Sequence, residues 1–136
     1  MVTKRSGNSA LKIFFTSTLP LFLWMAFIYS LSARHKVAFT SDYNTSFVIF
    51  KSLHLIEYSI LYFLSVRFMH FYSPRNGYLK AFLLTFLFAL SDEYHQTLVP
   101  GRGGKLRDAL IDGLGAFICW KLLLKFPRLE TVIKKI

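Results

Sequence analysis

Acidic residues are scarce in this chain, with 7 Asp and Glu against 17 Lys and Arg in 136 residues, a formal charge of +10. Cysteine is scarcer still. The single one, Cys119, excludes an internal disulfide and a cysteine-based metal site, and its place in an apolar run marks it as a packed residue. Short-period apolar–polar alternation, internal repeats, low-complexity tracts and long linkers are all lacking. Only 18% of the residues are charged, which together with long apolar runs excludes intrinsic disorder and argues against a soluble globular domain. The length leaves no room for a second domain. The basic excess would suit nucleic acid, but no groove-reading motif is present, and the cations sit in tails and short connections as they do beside anionic lipid.

What is present is apolar bulk: 54% hydrophobic residues, 15 Phe and a mean hydropathy of +0.42. A bilayer core about 30 Å thick needs roughly 20 helical residues. Four segments approach that length, at about 11–31, 47–66, 78–99 and 109–124. They predict an all-α polytopic membrane protein, a compact antiparallel bundle of four transmembrane helices, since the connections are short. Lys4 and Arg5 with Ser30-Leu31-Ser32 imitate a cleaved signal sequence, but the apolar stretch is longer than a usual signal core and is read as a retained span. With four spans both tails share a side with the connection between the second and third spans. That side holds 11 Lys and Arg against 6 on the other, so both termini are expected in the cytoplasm.

Charges inside such spans are expensive, roughly 2.5 to 3.5 kcal/mol each near the bilayer centre, and mark function by default. The second span carries Lys51, His54, Glu57 and Tyr58 at spacings that share one helix face, with the first three about 6, 10 and 15 Å below the outer surface. The third carries Ser91, Asp92, Glu93, His95 and Gln96, the acids about 10 Å below that surface. Asp92 and Glu93 are adjacent and point to different faces, so one of them is expected to face the site. Asp108 stands where the fourth span begins, where it suits either the site or an N-cap, and Asp112 lies one turn deeper. These depths agree, and the economical reading is one polar cavity facing outward. Pro100-Gly101-Arg102-Gly103-Gly104-Lys105 joins the last two spans, and its free backbone N–H groups beside Arg102, Lys105 and Arg107 suit an anion.

Taken in order, Lys51-x-x-His54-x-x-Glu57-Tyr58, Ser91-Asp92-Glu93-x-His95-Gln96, Pro100-Gly101-Arg102, Asp108 and Asp112-Gly113-x-Gly115 resemble the VanZ-like family. The resemblance covers about residues 32–115. It implies a small multi-pass protein of the bacterial cytoplasmic membrane with a role in the cell envelope. The founding member of that family is associated with resistance to teicoplanin, a lipid-tailed glycopeptide. It also implies that Lys51, His54, Glu57, Glu93, Gln96, Arg102 and Asp108 form the site. Asn is common in the family where Asp112 stands here.

The residues themselves leave three functions open. One is binding or modification of a lipid-linked or lipid-tailed compound, with Lys51, Tyr58, Gln96, Arg102, Asp108 and Asp112 holding the substrate. The second is a hydrolase or transferase on a phosphate-bearing lipid, with Glu57 or Glu93 as general base and His54 or His95 as acid partner. The third is a small proton-coupled transporter using the carboxylates as relays. No cofactor or metal is assigned: His54-x-x-Glu57 spacing permits a divalent ion among His54, Glu57, Glu93 and Asp108 but does not require one. A Ser91–His95–Asp92 triad is set aside, because three residues within five along one helix do not reach the needed geometry.

Overall fold

The computed structural model describes residues 7–34 and 43–134, and all regular structure among them is helical. In chain order the helices are α1 (Gly7–Ile13), α2 (Leu19–Ser32), α3 (Tyr43–Tyr72), α4 (Gly77–Thr97), α5 (Leu106–Lys125) and α6 (Pro127–Lys134). A π-helical turn, Phe14–Thr18, joins α1 to α2 in one rod. Pro20 accounts for the wide turn. Proline gives no N–H and its ring crowds the carbonyl one turn back, so the helix widens just before it.

Helices α3, α4 and α5 form the packed centre, and the α1–α2 rod lies against α3 with a lighter contact to α4. Small residues let α5 approach closely: Ala109, Asp112, Gly113, Gly115 and Ala116 are its buried face. At Gly115 the two backbones nearly touch, since a Cβ there would lie 2.5 Å from the Leu55 carbonyl oxygen and 3.1 Å from its Cα. The Ser59 hydroxyl sits in the same seam, 2.7 Å from the Leu55 carbonyl and 2.8 Å from that of Gly115, and donates there. Two apolar clusters fill the rest. Leu21, Ile28, Tyr58, Leu61, Ala89 and Ala109 pack toward the loop between α4 and α5. Tyr62, Val66, Ala81, Ala116, Leu123 and Ile133 pack toward the opposite end.

The outer faces remain apolar. Leu53, Ile56 and Ile60 on α3, Leu83 and Leu87 on α4, and Leu110 and Leu114 on α5 are all exposed. In water each would forfeit roughly 25 cal/mol for every Å² of apolar surface, which an apolar solvent would not exact. Two segments, Ser9–Ser32 and Thr45–Tyr72, are long and apolar enough to cross a membrane, and only 22% and 17% of their most apolar windows are buried inside the protein. The 21 residues of α4 and 20 of α5 reach about 30 Å as well, but they carry charges that lower their apolar character.

Element limits depart from the sequence reading in instructive places. The second segment was expected over 47–66, yet α3 runs on through Arg67 and His70 to Tyr72. Helix continuity depends on backbone hydrogen bonds, whereas the apolar run gives out where Arg67 follows Val66. The third and fourth segments begin one and three residues earlier than expected, at Gly77 and Leu106. Beyond 124 a basic tail was expected, but Pro127 opens α6, whose Ile133 is buried in the lower core while Arg128 and Lys134 face outward. Lys4, Arg5, Lys36 and Lys135, used in the charge count, lie outside the described residues.

Candidate functional site

All ten side chains given a site role from the sequence, and Asp92 with them, lie toward one end of the bundle, formed by the first half of α3, the last turns of α4, the loop after it and the first turns of α5. Their partners divide them into two groups.

The first group holds the structure together. Asp92, fully buried, accepts from the Ser32 hydroxyl of α2 at 2.5 Å and from Gln96 Nε2 at 3.0 Å. Arg102 extends this chain. Its Nε donates to the Arg34 carbonyl at 2.6 Å, one terminal nitrogen to the Leu31 carbonyl at 3.3 Å and the other to Gln96 Oε1 at 3.5 Å. The last carbonyls of a helix have no partner within it, and here the guanidinium fork supplies one. Burial pulls the Arg102 guanidinium below its ordinary value, against the opposing influence of Asp92 and Glu93. Glu93, next to Asp92 but on another face, accepts the Lys105 backbone N–H at 2.9 Å and so fixes the start of α5. The loop lies close on α4 at that point: a Cβ on Gly104 would collide with the Glu93 carbonyl oxygen and come within 2.9 Å of Thr97 Cγ2.

The second group is less fully bonded. His54 Nδ1 lies 3.6 Å from Glu57 Oε2 and 3.7 Å from Asp112 Oδ1, contacts too long for hydrogen bonds. Asp112 is 1% exposed, and neither of its oxygens has a hydrogen-bond partner among the described residues. The buried Tyr58 hydroxyl is in the same condition. Glu57 and His54 are 18% and 20% exposed and stand nearer the surface than Asp112. Glu57 is held from behind by its backbone, whose carbonyl accepts the Trp24 indole N–H at 3.0 Å. One turn nearer the helix start, Lys51 Nζ pairs with Asp108 Oδ1 at 2.9 Å, and Arg107 adds a more exposed contact to Asp108 at 3.8 Å. Among the described residues no group of three His, Cys, Asp or Glu side chains is disposed to hold a metal ion.

The ordered motif set and this shared end of the bundle agree with a comparison against known families, in which the model of VanZ/LLP1 matches residues 3–127. The chain belongs to the VanZ/LLP1 family. No curated protein and no solved structure matches it. VanZ/LLP1 membership and the two apolar helices together point to a membrane protein.

Several expectations for this VanZ/LLP1 chain change in detail. Asp92 and Glu93 do face different ways, but both are buried among partners, so neither is the idle one. Asp108 is not an N-cap; Lys105 takes that position with extended backbone and no side-chain cap, and Asp108 sits in the first turn, where its charge opposes the helix dipole favourably. Arg102 was assigned to an anion, yet its donors already serve carbonyls and Gln96, which leaves the exposed Lys105 before α5 and Arg107 in its first turn, the latter also 3.8 Å from Asp108. His95 turns toward α2 and stacks on Tyr29 at a ring separation of 4.0 Å. Ser32 and Trp24 escaped the sequence reading as site supports. Hydroxyl and indole groups inside an apolar run give no signal of which distant carboxylate or carbonyl they will meet.

Proposed function

We propose that this VanZ/LLP1 protein crosses the bacterial cytoplasmic membrane four times, with both termini in the cytoplasm. We infer that it binds or modifies a lipid-linked or lipid-tailed envelope compound from the outer side. The helix lengths, the exposed apolar faces and the 11 to 6 asymmetry of Lys and Arg support the topology. The observation that carries the function is the second group of side chains. Asp112 and the Tyr58 hydroxyl are buried with hydrogen-bonding capacity unused, behind the partly exposed His54 and Glu57. Buried polar groups are costly when unpaired, so a set of them in one place is a receptor for polar atoms from outside. Apolar α3 residues such as Leu53 and Ile56 are exposed on the same helix and suit the tail of such a compound. Kinship with the teicoplanin-resistance protein fits a site for lipid-tailed molecules.

A second reading rests on His54, which lies within 3.7 Å of two carboxylates. An imidazole so placed can pass a proton to or from a bound head group, and turnover of the lipid would follow from the same binding geometry.

Purified protein in nanodiscs, incubated with radiolabelled phospholipids, polyprenyl phosphates and teicoplanin, distinguishes the two. Saturable binding without product, lost in His54→Ala, is the result expected of a binding protein. A new labelled product would establish the enzymatic reading. Absence of saturable binding to every compound would refute both.

A further inference from the structure

Five of the seven acidic residues, Glu57, Asp92, Glu93, Asp108 and Asp112, gather at one end of an otherwise strongly basic chain. Three have protein partners: Asp92 with Ser32 and Gln96, Glu93 with the Lys105 N–H, and Asp108 with Lys51. Among the described residues, Glu57 and Asp112 have only His54 between them, at 3.6 and 3.7 Å. Asp112 is 1% exposed with both oxygens lacking a hydrogen-bond partner among the described residues, and Oδ1 is directed at His54 within the group. We propose that Asp112, Glu57 and Tyr58 receive a protonated primary amine on the head group of the bound compound, through its N–H donors. This inference rests on the lipid-binding reading above and specifies its chemistry.

The free atoms decide the chemistry of the ligand. Asp112 supplies two acceptor oxygens, Glu57 a partly exposed carboxylate, and Tyr58 a hydroxyl that can accept. A phosphate offers only more acceptors and more negative charge. It would meet two carboxylates here, and the nearby cations are engaged, Lys51 by Asp108 and Arg102 by the carbonyls of Leu31 and Arg34. An ammonium has the opposite character. Its three N–H groups match the free acceptors, and its charge supplies the counter-ion that a buried carboxylate needs. A phosphate attached elsewhere in the same head group would find Lys105 and Arg107, which are exposed at the loop and the start of α5.

The test uses the full chain in phosphatidylcholine nanodiscs, with Trp120→Phe so that Trp24, bonded to the Glu57 carbonyl, is the reporting indole. Dodecylammonium should change its emission saturably. Dodecyltrimethylammonium, equally charged but without N–H donors, and dodecyl phosphate should bind at least about tenfold more weakly. Asp112→Asn and Glu57→Gln should each weaken dodecylammonium at least about tenfold, and either serves alone if the other does not fold. Lys134→Gln, at the far end, should change nothing. Ethylammonium competing as well as dodecylammonium would support amine recognition and identify a soluble amine as its source. Preference for dodecyl phosphate, or dodecylammonium binding unaltered in both variants, would overturn the proposal while leaving a lipid site standing. Saturable binding of none of the alkyl probes would overturn both.

Discussion

Replacement of Gly115 by Ala perturbs a close approach of the α3 and α5 backbones. The added Cβ would lie 2.5 Å from the Leu55 carbonyl oxygen and 3.1 and 3.2 Å from its Cα and C, all backbone atoms in the middle of α3. Ordinary contact needs about 1 Å more, and a helix backbone yields only by moving as a whole. Overpacking of this kind costs about 1–3 kcal/mol. Alanine recovers part of that, since it favours helix over glycine by about 0.8–1.0 kcal/mol, and separation of α3 from α5 also weakens the Ser59 contact to the Gly115 carbonyl. Gly113→Ala is the control on the same helix. There the Cβ meets only the edge of the Phe86 ring, at 3.0 and 3.2 Å, and a ring can swing by a few tenths of an ångström. The net expectation is a loss of about 1–2 kcal/mol for Gly115→Ala and a change near zero for Gly113→Ala. Denaturant titration in dodecyl maltoside followed by far-UV circular dichroism measures both. Because Asp112 lies one turn from Gly115, dodecylammonium binding should fall with stability in the first variant only. Equal stability of the two variants, or a larger loss for Gly113→Ala, would refute the claim that backbone proximity of α3 and α5 sets the site.

Asp92→Asn places an amide N–H₂ against one of two donors, the Ser32 hydroxyl or Gln96 Nε2, and should cost about 1–3 kcal/mol in the same titration. Arg102→Lys replaces a rigid fork, whose separate nitrogens reach the Leu31 and Arg34 carbonyls, with one compact ammonium that does not reproduce that geometry. Amide hydrogen exchange at the end of α2 should then accelerate, with a stability loss of about 1 kcal/mol. The topology is checked with Cys119→Ser as background: a cysteine at Arg75 should be labelled only from the cytoplasmic face and one at Gly103 only from outside, and labelling of both from one face would refute it.

How much of this was legible in the residues can be judged helix by helix. The apolar rods of α2 and α3 were plain, because a run of some twenty apolar residues has few other uses. Their ends were not, since α3 extends through Arg67 and His70 while α6 hides behind a run that reads as a basic tail. Lys51, His54 and Glu57 announced themselves by cost and shared face. The pairing of Lys51 with Asp108, 57 residues away, and the seating of Arg102 on the end of α2 did not, because neither is a property of local spacing.

Composition, span length and the price of an intramembrane charge were enough to point to an all-helical chain and its costly polar residues, and the order of the motifs pointed to the family. Which of those residues find partners among the described residues and which do not was decided only when three helices and a loop came together. A side chain's partners are assigned by packing at 3 Å. Asp92 and Asp112 carry the same carboxylate, yet Ser32 and Gln96 satisfy one and leave the other waiting.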